Sequence, residues 1–247
     1  SIYFCSDTIL AQSQGFKAPI MRYAKENKIV YYPNSYNDSS MTVSQVSSLP
    51  EQLLHQLSSN FCIVFAGNLG TAQSLNTLVE AAVRLKDLPA FRLVLVGSGS
   101  MSDWLIKQKR EKSLDNIILA GRHPAHEMPH IFSRAAALLV SLKNDEIFSY
   151  TIPSKIQAYL AAGRPIIAAL DGEGARVVEQ AGAGLTCPAE DTEGLVACIR
   201  TLYKLSLAER EQMGASGRSY FLEHFNMPTQ ANKLIEILDQ RIKAAKS

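Results

Sequence analysis

One stretch concentrates the residue types that handle an anionic group. From Lys143 to Pro165 the chain reads Lys-Asn-Asp-Glu-Ile-Phe-Ser-Tyr-Thr-Ile-Pro-Ser-Lys-Ile-Gln-Ala-Tyr-Leu-Ala-Ala-Gly-Arg-Pro. It leaves an apolar run, crosses polar residues and enters a helical pattern. Pro153 puts a rigid residue at the helix entrance. Ser154 is placed to cap the helix, and Lys155 adds positive charge beside its free N–H groups. Such a helix start, with Asp145 and Glu146 upstream, suits a diphosphate. A plain cap with a solvated lysine is the alternative reading.

Four other turns follow apolar runs and precede helical patterns. In Gly67-Asn68-Leu69-Gly70 the glycines let a ligand approach the backbone, and the helix start offers N–H groups to phosphate. It is neither GxGxxG nor a P-loop, since the third glycine and the GK[ST] are missing. Gly97-Ser98-Gly99-Ser100 is weaker, because such turns also serve packing. In Gly121-Arg122-His123-Pro124 the arginine can meet a phosphate or stack on a base. His123 and His126 have no Cys or carboxylate at zinc-ligand spacing. Asp171-Gly172-Glu173-Gly174 offers small residues and carboxylates that suit sugar hydroxyls.

Regular elements must present these turns. Six apolar runs read as strands: Phe61–Ala66, Phe91–Val96, Asn116–Ala120, Ala136–Leu142, Pro165–Leu170 and Gly184–Cys187. Between them lie helical periods, including Leu75-Leu78-Val79-Ala82-Leu85, Met101–Lys112, His126–Arg134, Ser154–Ala162 and Glu173–Ala181. Gly163 is the expected left-handed stop of its helix. Three further helices are expected at Glu193–Leu205, Ala208–His224 and Pro228–Lys243. Strands apolar throughout, alternating with amphipathic helices, imply a parallel sheet covered on both faces. The fold class is therefore α/β, a Rossmann-like doubly wound parallel sheet, with ligands at the carboxyl ends of its strands. Upstream, Asp7–Asn27 reads as a strand end and a helix, Ile29–Tyr32 as a short strand, and Asn37–Ser48 as a linker.

Composition excludes several other classes. The 247 residues carry 25 Lys+Arg against 23 Asp+Glu, a net charge of +2, which argues against a general nucleic-acid binder. Hydrophobic residues make up 47%, a globular composition. The longest apolar stretch, Ala135–Val140, is far too short to span a bilayer. No signal peptide is visible at Ser1–Asp7. Cys5, Cys62, Cys187 and Cys198 lack CxxC spacing and read as reduced thiols of a cytoplasmic protein. The chain starts without Met and reads as a piece of something longer.

The order of these motifs resembles the C-terminal half of a family-4-type glycosyltransferase of the two-Rossmann-domain GT-B fold. The carriers are Gly67-Asn68-Leu69-Gly70 with Leu75, Val94-Leu95-Val96-Gly97-Ser98-Gly99, and Gly121 before a helix. The strongest is Pro153-Ser154-Lys155-Ile156-Gln157-Ala158-Tyr159-Leu160-Ala161-Ala162-Gly163-Arg164-Pro165-Ile166, and Ala181-Gly182-Ala183-Gly184-Leu185 fits as well. The match covers about residues 60–225. Asp7–Gly15 and Tyr31–Ser35 look like the last helix and strand of the N-terminal acceptor domain. The division implied is 1–45 as acceptor-domain remnant and linker, 46–225 as nucleotide-sugar-binding domain, and 226–247 as a helix crossing back. The Pro-Ser-Lys-Ile-Gln variant resembles a bacterial subgroup that builds surface polysaccharides, including enzymes that move N-acetylated deoxysugars.

The resemblance implies a retaining transferase that moves sugar from a UDP-sugar to a glycan or lipid-linked acceptor, without a metal or other cofactor. Its rivals are a GT-B-type epimerase, for which no His–carboxylate pair can be placed, and a non-catalytic partner module. The two carboxylates of the family's Glu-x7-Glu fall on Tyr150 and Ala158, with Glu146 near enough to replace the first. The family's diphosphate-gripping Arg and Lys fall near Asn68 and Gln73, so Lys155 or Arg122 must supply that charge. The implied catalytic positions are Glu146 and Tyr150. The implied donor-binding positions are Gly67, Asn68, Gly70, Gly97, Arg122, His123, Thr151, Ser154, Lys155 and Gln157. The base is expected against Gly121–His123, the diphosphate over Gly67–Gly70 and the Ser154 helix start, and the sugar near Glu146 and Asp171–Glu173. The implied location is cytoplasmic, at the inner face of the membrane through the acceptor domain. That domain is the implied intramolecular partner, and no nucleic acid is implied.

Overall fold

Six of the apolar runs become the strands of one parallel sheet. The computed structural model describes residues 2–41 and 47–246. Its strands are β1 (Ile9–Ala11), β2 (Ile29–Tyr31), β3 (Phe61–Ala66), β4 (Phe91–Val96), β5 (Ile117–Gly121), β6 (Ala137–Ser141), β7 (Ile166–Ala169) and β8 (Gly184–Cys187). Its helices are α1 (Ile2–Cys5), α2 (Lys17–Met21), α3 (Glu51–Ser59), α4 (Leu75–Arg84), α5 (Ser102–Glu111), α6 (Met128–Phe132), α7 (Glu146–Ser149), α8 (Ser154–Ala162), α9 (Glu173–Gln180), α10 (Thr192–Lys204), α11 (Leu207–His224) and α12 (Met227–Lys246).

The large sheet has the order β5-β4-β3-β6-β7-β8, all parallel. The chain builds outward from β3 to β5, then returns to lay β6 beside β3 and builds outward the other way. That reversal is the topological switch point of a doubly wound sheet, where a crevice opens beyond the strand ends. The apolar runs are continuous because both faces are covered. Along β3, Cys62, Val64 and Ala66 face one core with Tyr159 and Leu138, while Ile63 and Phe65 face the other with Leu78 and Leu139.

A second, two-stranded sheet pairs β1 with β2 in parallel. Asp7–Asn27, read as a strand end and a helix, contains β1 and α2; the family resemblance put a helix over Asp7–Gly15, where Ile9 and Ala11 instead alternate inward with period two. Helix α12 crosses back onto this segment. Tyr32 Oη donates to Gln230 O at 3.0 Å, Arg241 Nη2 donates to Asn27 O at 3.1 Å, and Tyr36 bridges to Asn226.

The described residues of the expected linker at Asn37–Ser48 are tied to the large-sheet part of the fold at 38 and at 47–48. Asp38 forms an ion pair with Arg218, and Ser47 and Ser48 bond the buried Glu127. Residues 42–46, and with them the expected boundary at 45/46, lie outside the described residues. Helix α3 was not expected. Its stripe is only Leu53 and Leu57, too narrow for periodicity to register. Of the helix expected over His126–Arg134, Met128–Phe132 form the short α6, entered through a 3₁₀ turn at Ala125–Glu127.

Gly97 has a structural cause. Its φ is +140°, and a Cβ there would lie 1.9 Å from Gly67 O. The loops after β3 and β4 are laced together, Gly67 N–H donating to Val96 O and Leu69 N–H to Ser98 O. Gly97→Ala must break this lacing as well as adopt an unfavourable φ. We expect it to lose more than about 2 kcal/mol of stability, read as a lowered urea midpoint.

Candidate functional site

The carboxyl ends of β3, β4 and β5 enclose a crevice of about 520 Å³. Gly67, Asn68, Gly97, Ser98, Gly99, Arg122, His123 and Met128 line it. Thus Gly67, Asn68, Gly97, Arg122 and His123 meet at one place, as expected. His123 is fixed rather than swinging: its Nε2 lies 2.9 Å from Ala120 O, an oxygen that only accepts, so Nε2 carries the proton. The wall at Met128 is braced from behind, where hydrogen bonds from Ser48 and Ser47 hold the Glu127 carboxyl down at about 2.

Gly67 lines the crevice and also makes room for a side chain. A Cβ at Gly67 would lie 2.6 Å from Lys155 Cε and 2.9 Å from its Nζ. Lys155 projects from the first turn of α8 across the end of β3. Its Nζ stands 3.8 Å above the Phe65 ring centroid and donates to Gln73 Oε1 at 2.9 Å. The solvated reading of Lys155 is thereby overturned. No carboxylate pairs with it among the described residues, and burial pulls its pKa down to about 8.

One turn later on the same face, Tyr159 anchors the helix. Ala66 N–H donates to Tyr159 Oη at 3.0 Å, in the interior. Residues i and i+4 share a helix face, so the bond that seats Tyr159 on the last residue of β3 also aims Lys155 at Gly67. The expected cap is corrected. Pro153 occupies the N-cap position and Ser154 is the first helical residue, exposed and without a capping bond. Pro153 dictates this, since a proline cannot supply a helical N–H but readily precedes one.

The remaining positions form a second group. The polar stretch after β6 contains α7, unexpected, begun by Asp145 whose side chain accepts from Ile147 N–H. Tyr150 Oη donates to Glu146 Oε1, and this bond raises the Tyr150 pKa. Thr151 Oγ1 donates to Phe148 O. Gln157 is not brought to the crevice: it is buried, and its Nε2 donates to Asn34 O at 2.8 Å, tying α8 to the N-terminal segment. Gly70 adjoins the Asn68 amide rather than lining the crevice.

Sequence reasoning missed the partners of Gln73 and Glu173. Glu173 accepts from Arg176 Nε and Nη2 and from Gln14 N–H. Burial pushes its pKa up, but the Arg176 bonds and charge and the N–H groups of Gln14 and Gly15 together outweigh it and leave the carboxyl below its usual range. The Glu173–Arg176 spacing of three residues on a helix was the signal available.

The chain matches the Glycosyl transferases group 1 family over residues 24–220. It belongs to that family. It is 26% identical over 164 residues to a probable glycosyltransferase, WbjE, of Pseudomonas aeruginosa, covering 66% of this chain and 40% of that protein. It is 26% identical over 157 residues to a putative colanic acid biosynthesis glycosyl transferase, WcaI, of Escherichia coli, covering 62% and 38%. The chain thus spans about two fifths of these relatives. Among solved structures, Anabaena Alr3699/HepE in complex with UDP superposes with a TM-score of 0.80 at 14% identity, over 96% of this chain and 65% of that one. The lipopolysaccharide outer core galactosyltransferase WaaB superposes with a TM-score of 0.70 at 17% identity, over 95% and 62%. Both share the Rossmann-like architecture. Among the described residues no helix is long and apolar enough to cross a membrane.

Lys155 is costly to the fold. Its folded pKa of about 8 lies below the usual lysine value, so folding disfavours the protonated side chain at neutral pH. The penalty is on the order of 3 kcal/mol below pH 8 and shrinks as pH rises toward the unfolded value near 10.5. Lys155→Met should therefore be more stable than wild type at pH 7, with the difference narrowing by pH 10. Melting curves across that range measure it.

Proposed function

We propose that this chain is the nucleotide-sugar-binding part of a retaining glycosyltransferase. The donor is a UDP-sugar, of the N-acetyl deoxysugar type, and the acceptor is a polysaccharide or lipid-linked glycan held mainly by an acceptor domain. The observation that carries this reading is Lys155: a cation set against Gly67 at the switch point, without a carboxylate to neutralise it. Membership of the glycosyl transferases group 1 family, and neighbours that bind UDP, support it.

In this reading the base lies against Gly121–His123 and the diphosphate over the turn after β3. Transfer breaks the bond between the sugar carbon and the diphosphate oxygen. Negative charge then grows on the diphosphate, and a fixed cation in a partly desolvated site lowers that barrier. Gln73 orients the ammonium without cancelling its charge. Lys155 thereby supplies the charge that the family places near Gln73. Glu146 and Tyr150, bonded to each other, belong to the sugar side. The proposed chemistry draws its charge stabilisation from Lys155 rather than from a metal. We place the enzyme in the cytoplasm, at the inner membrane face through the acceptor domain. Residues 1–45 belong with that domain, 46–225 form the donor-binding domain, and 226–247 cross back.

A non-catalytic module is the second reading, favoured by Tyr150 and Ala158 at the positions where the family carries carboxylates. Donor hydrolysis by the full-length protein, retained in EDTA, separates the two readings.

The decisive titration uses UDP and the chain itself. We expect Lys155→Met to weaken UDP about 10- to 100-fold, the loss of one charge-assisted hydrogen bond. Glu146→Ala should leave UDP affinity unchanged and slow transfer in the full-length protein. Uridine should bind more weakly than UDP to wild type and equally to wild type and Lys155→Met. Equal UDP affinity in wild type and Lys155→Met would remove the lysine from the site.

The same lysine sets a pH dependence. UDP favours its protonated form, so wild-type affinity should hold steady below about pH 8, fall above it, and level off once the roughly 10- to 100-fold contribution of the charge is lost. Lys155→Met should lack this fall. Calorimetric titrations at several pH values compare the two.

A further inference from the structure

The opposite end of the sheet, where the strands begin, holds a separate cavity of about 470 Å³. Phe61, the first residue of β3, lines this cavity, whereas Gly67, just past its end, lines the crevice. The intervening strand separates the two by about 20 Å. Three arginines converge here from different elements: Arg134 after α6, Arg164 before β7, and Arg210 in the first turns of α11. All three are half-buried.

None of the three forms an ion pair among the described residues. Backbone carbonyls hold them instead. Arg134 Nη1 donates to His130 O at 2.7 Å, and Arg164 Nε donates to Phe132 O at 3.3 Å. Arg210 Nη1 donates to Leu202 O and Leu205 O, while its guanidinium lies 5.2 Å from the Phe61 ring centroid. A carbonyl oxygen orients a guanidinium but leaves its charge intact, and each guanidinium keeps N–H groups beyond those used. Burial lowers the Arg164 pKa most, and Arg210 lowers it further. Exposed Glu211 is the carboxylate whose charge counters them. Glu209 is engaged elsewhere, in the capping box with Ser206. Three cations are thus gathered and pre-oriented, with exposed Glu211 as a counter-charge but no ion pair among the described residues, around a cavity the described chain does not fill.

We infer that this cavity binds a phosphate-type oxyanion, a diphosphate or a phosphorylated small molecule, independently of the donor crevice. Planar N–H forks suit phosphate oxygens, and oxygens on several sides of a phosphorus can meet forks arriving from three elements. The volume exceeds that of a single phosphate, so a diphosphate or a phosphate ester with a polar remainder fits best. The same chemistry comes from soluble phosphates and from lipid headgroups.

Titrating inorganic pyrophosphate into the 247-residue chain tests the site, with Arg134→Gln/Arg164→Gln as the comparison. Arg210 is kept, because it caps the carbonyls that end α10. We expect the double variant to weaken pyrophosphate binding at this site at least about 10-fold while UDP affinity stays unchanged. Arg164→Lys, which keeps the charge and loses the fork, should fall between, and it serves if the double variant unfolds. Phosphatidylcholine vesicles containing phosphatidylglycerol form the second arm. Cosedimentation released by pyrophosphate and lost in the variants assigns the site to lipid phosphate; pyrophosphate binding without cosedimentation assigns it to soluble phosphates. Pyrophosphate binding that is absent, or equal in all variants, together with no arginine-dependent vesicle binding, overturns the inference.

Discussion

One half-buried ammonium organises the carboxyl end of β3. Lys155 lies over Phe65 and against Gly67 and donates to an amide oxygen, with no carboxylate paired to it among the described residues. A lysine in that position costs folding free energy, so the surroundings must hold it there. Three features do so: Gly67 has no side chain, Pro153 starts α8 at the right residue, and Tyr159 seats the helix on the end of β3. Remove the glycine and the ammonium has no room. Move the helix by one residue and the lysine points about 100° away. The site is therefore a property of the β3–α8 junction, two elements nearly a hundred residues apart that meet only because β6 returns beside β3.

The crevice and this junction are two sides of the same reversal. On one side Gly97 lets the β4 turn close onto the β3 turn, and on the other Lys155 closes onto the same β3 turn. The backbone after β3 is thus held from both flanks, with its charge fixed before any ligand arrives.

The architecture was legible because the signal was redundant. Six runs apolar on both faces, each ended by a glycine or polar turn, admit few topologies, and β3–β8 fell where those runs did. The elements that escaped were those with little hydrophobic pattern: α3 buries two leucines, and α7 is one turn long. In the site, sequence showed which turns converge but not what fills them. Gly67 read as space for a ligand, and space for Lys155 gives the same residue. Gln157 read as a ligand contact because it neighbours a family position, yet the helix turns it by about 100° from that position and toward Asn34. Long-range partners such as Gln73 and Lys155, 82 residues apart, leave no local trace.

The N-terminal segment adds a second constraint, on the loop that carries Tyr150. Ser13 Oγ donates to Tyr150 O, Phe16 packs against the Tyr150 ring, and Gln14 N–H meets Glu173. Glu173 can accept that bond because Arg176 offsets its burial and keeps the carboxylate ionised. Gly15 sits where a Cβ would lie 2.9 Å from both Glu173 Cγ and Tyr150 Cα. The loop carrying Glu146 and Tyr150 is therefore clasped by a segment from the other end of the chain, which α12 in turn holds down through Gln230 and Arg241. Displacing residues 13–16 must release Tyr150 and leave Glu173 short of an acceptor role it is built to fill. The geometry of that loop is thus coupled to the N-terminal segment, while Lys155, braced by Tyr159 and Gly67, is held by the sheet.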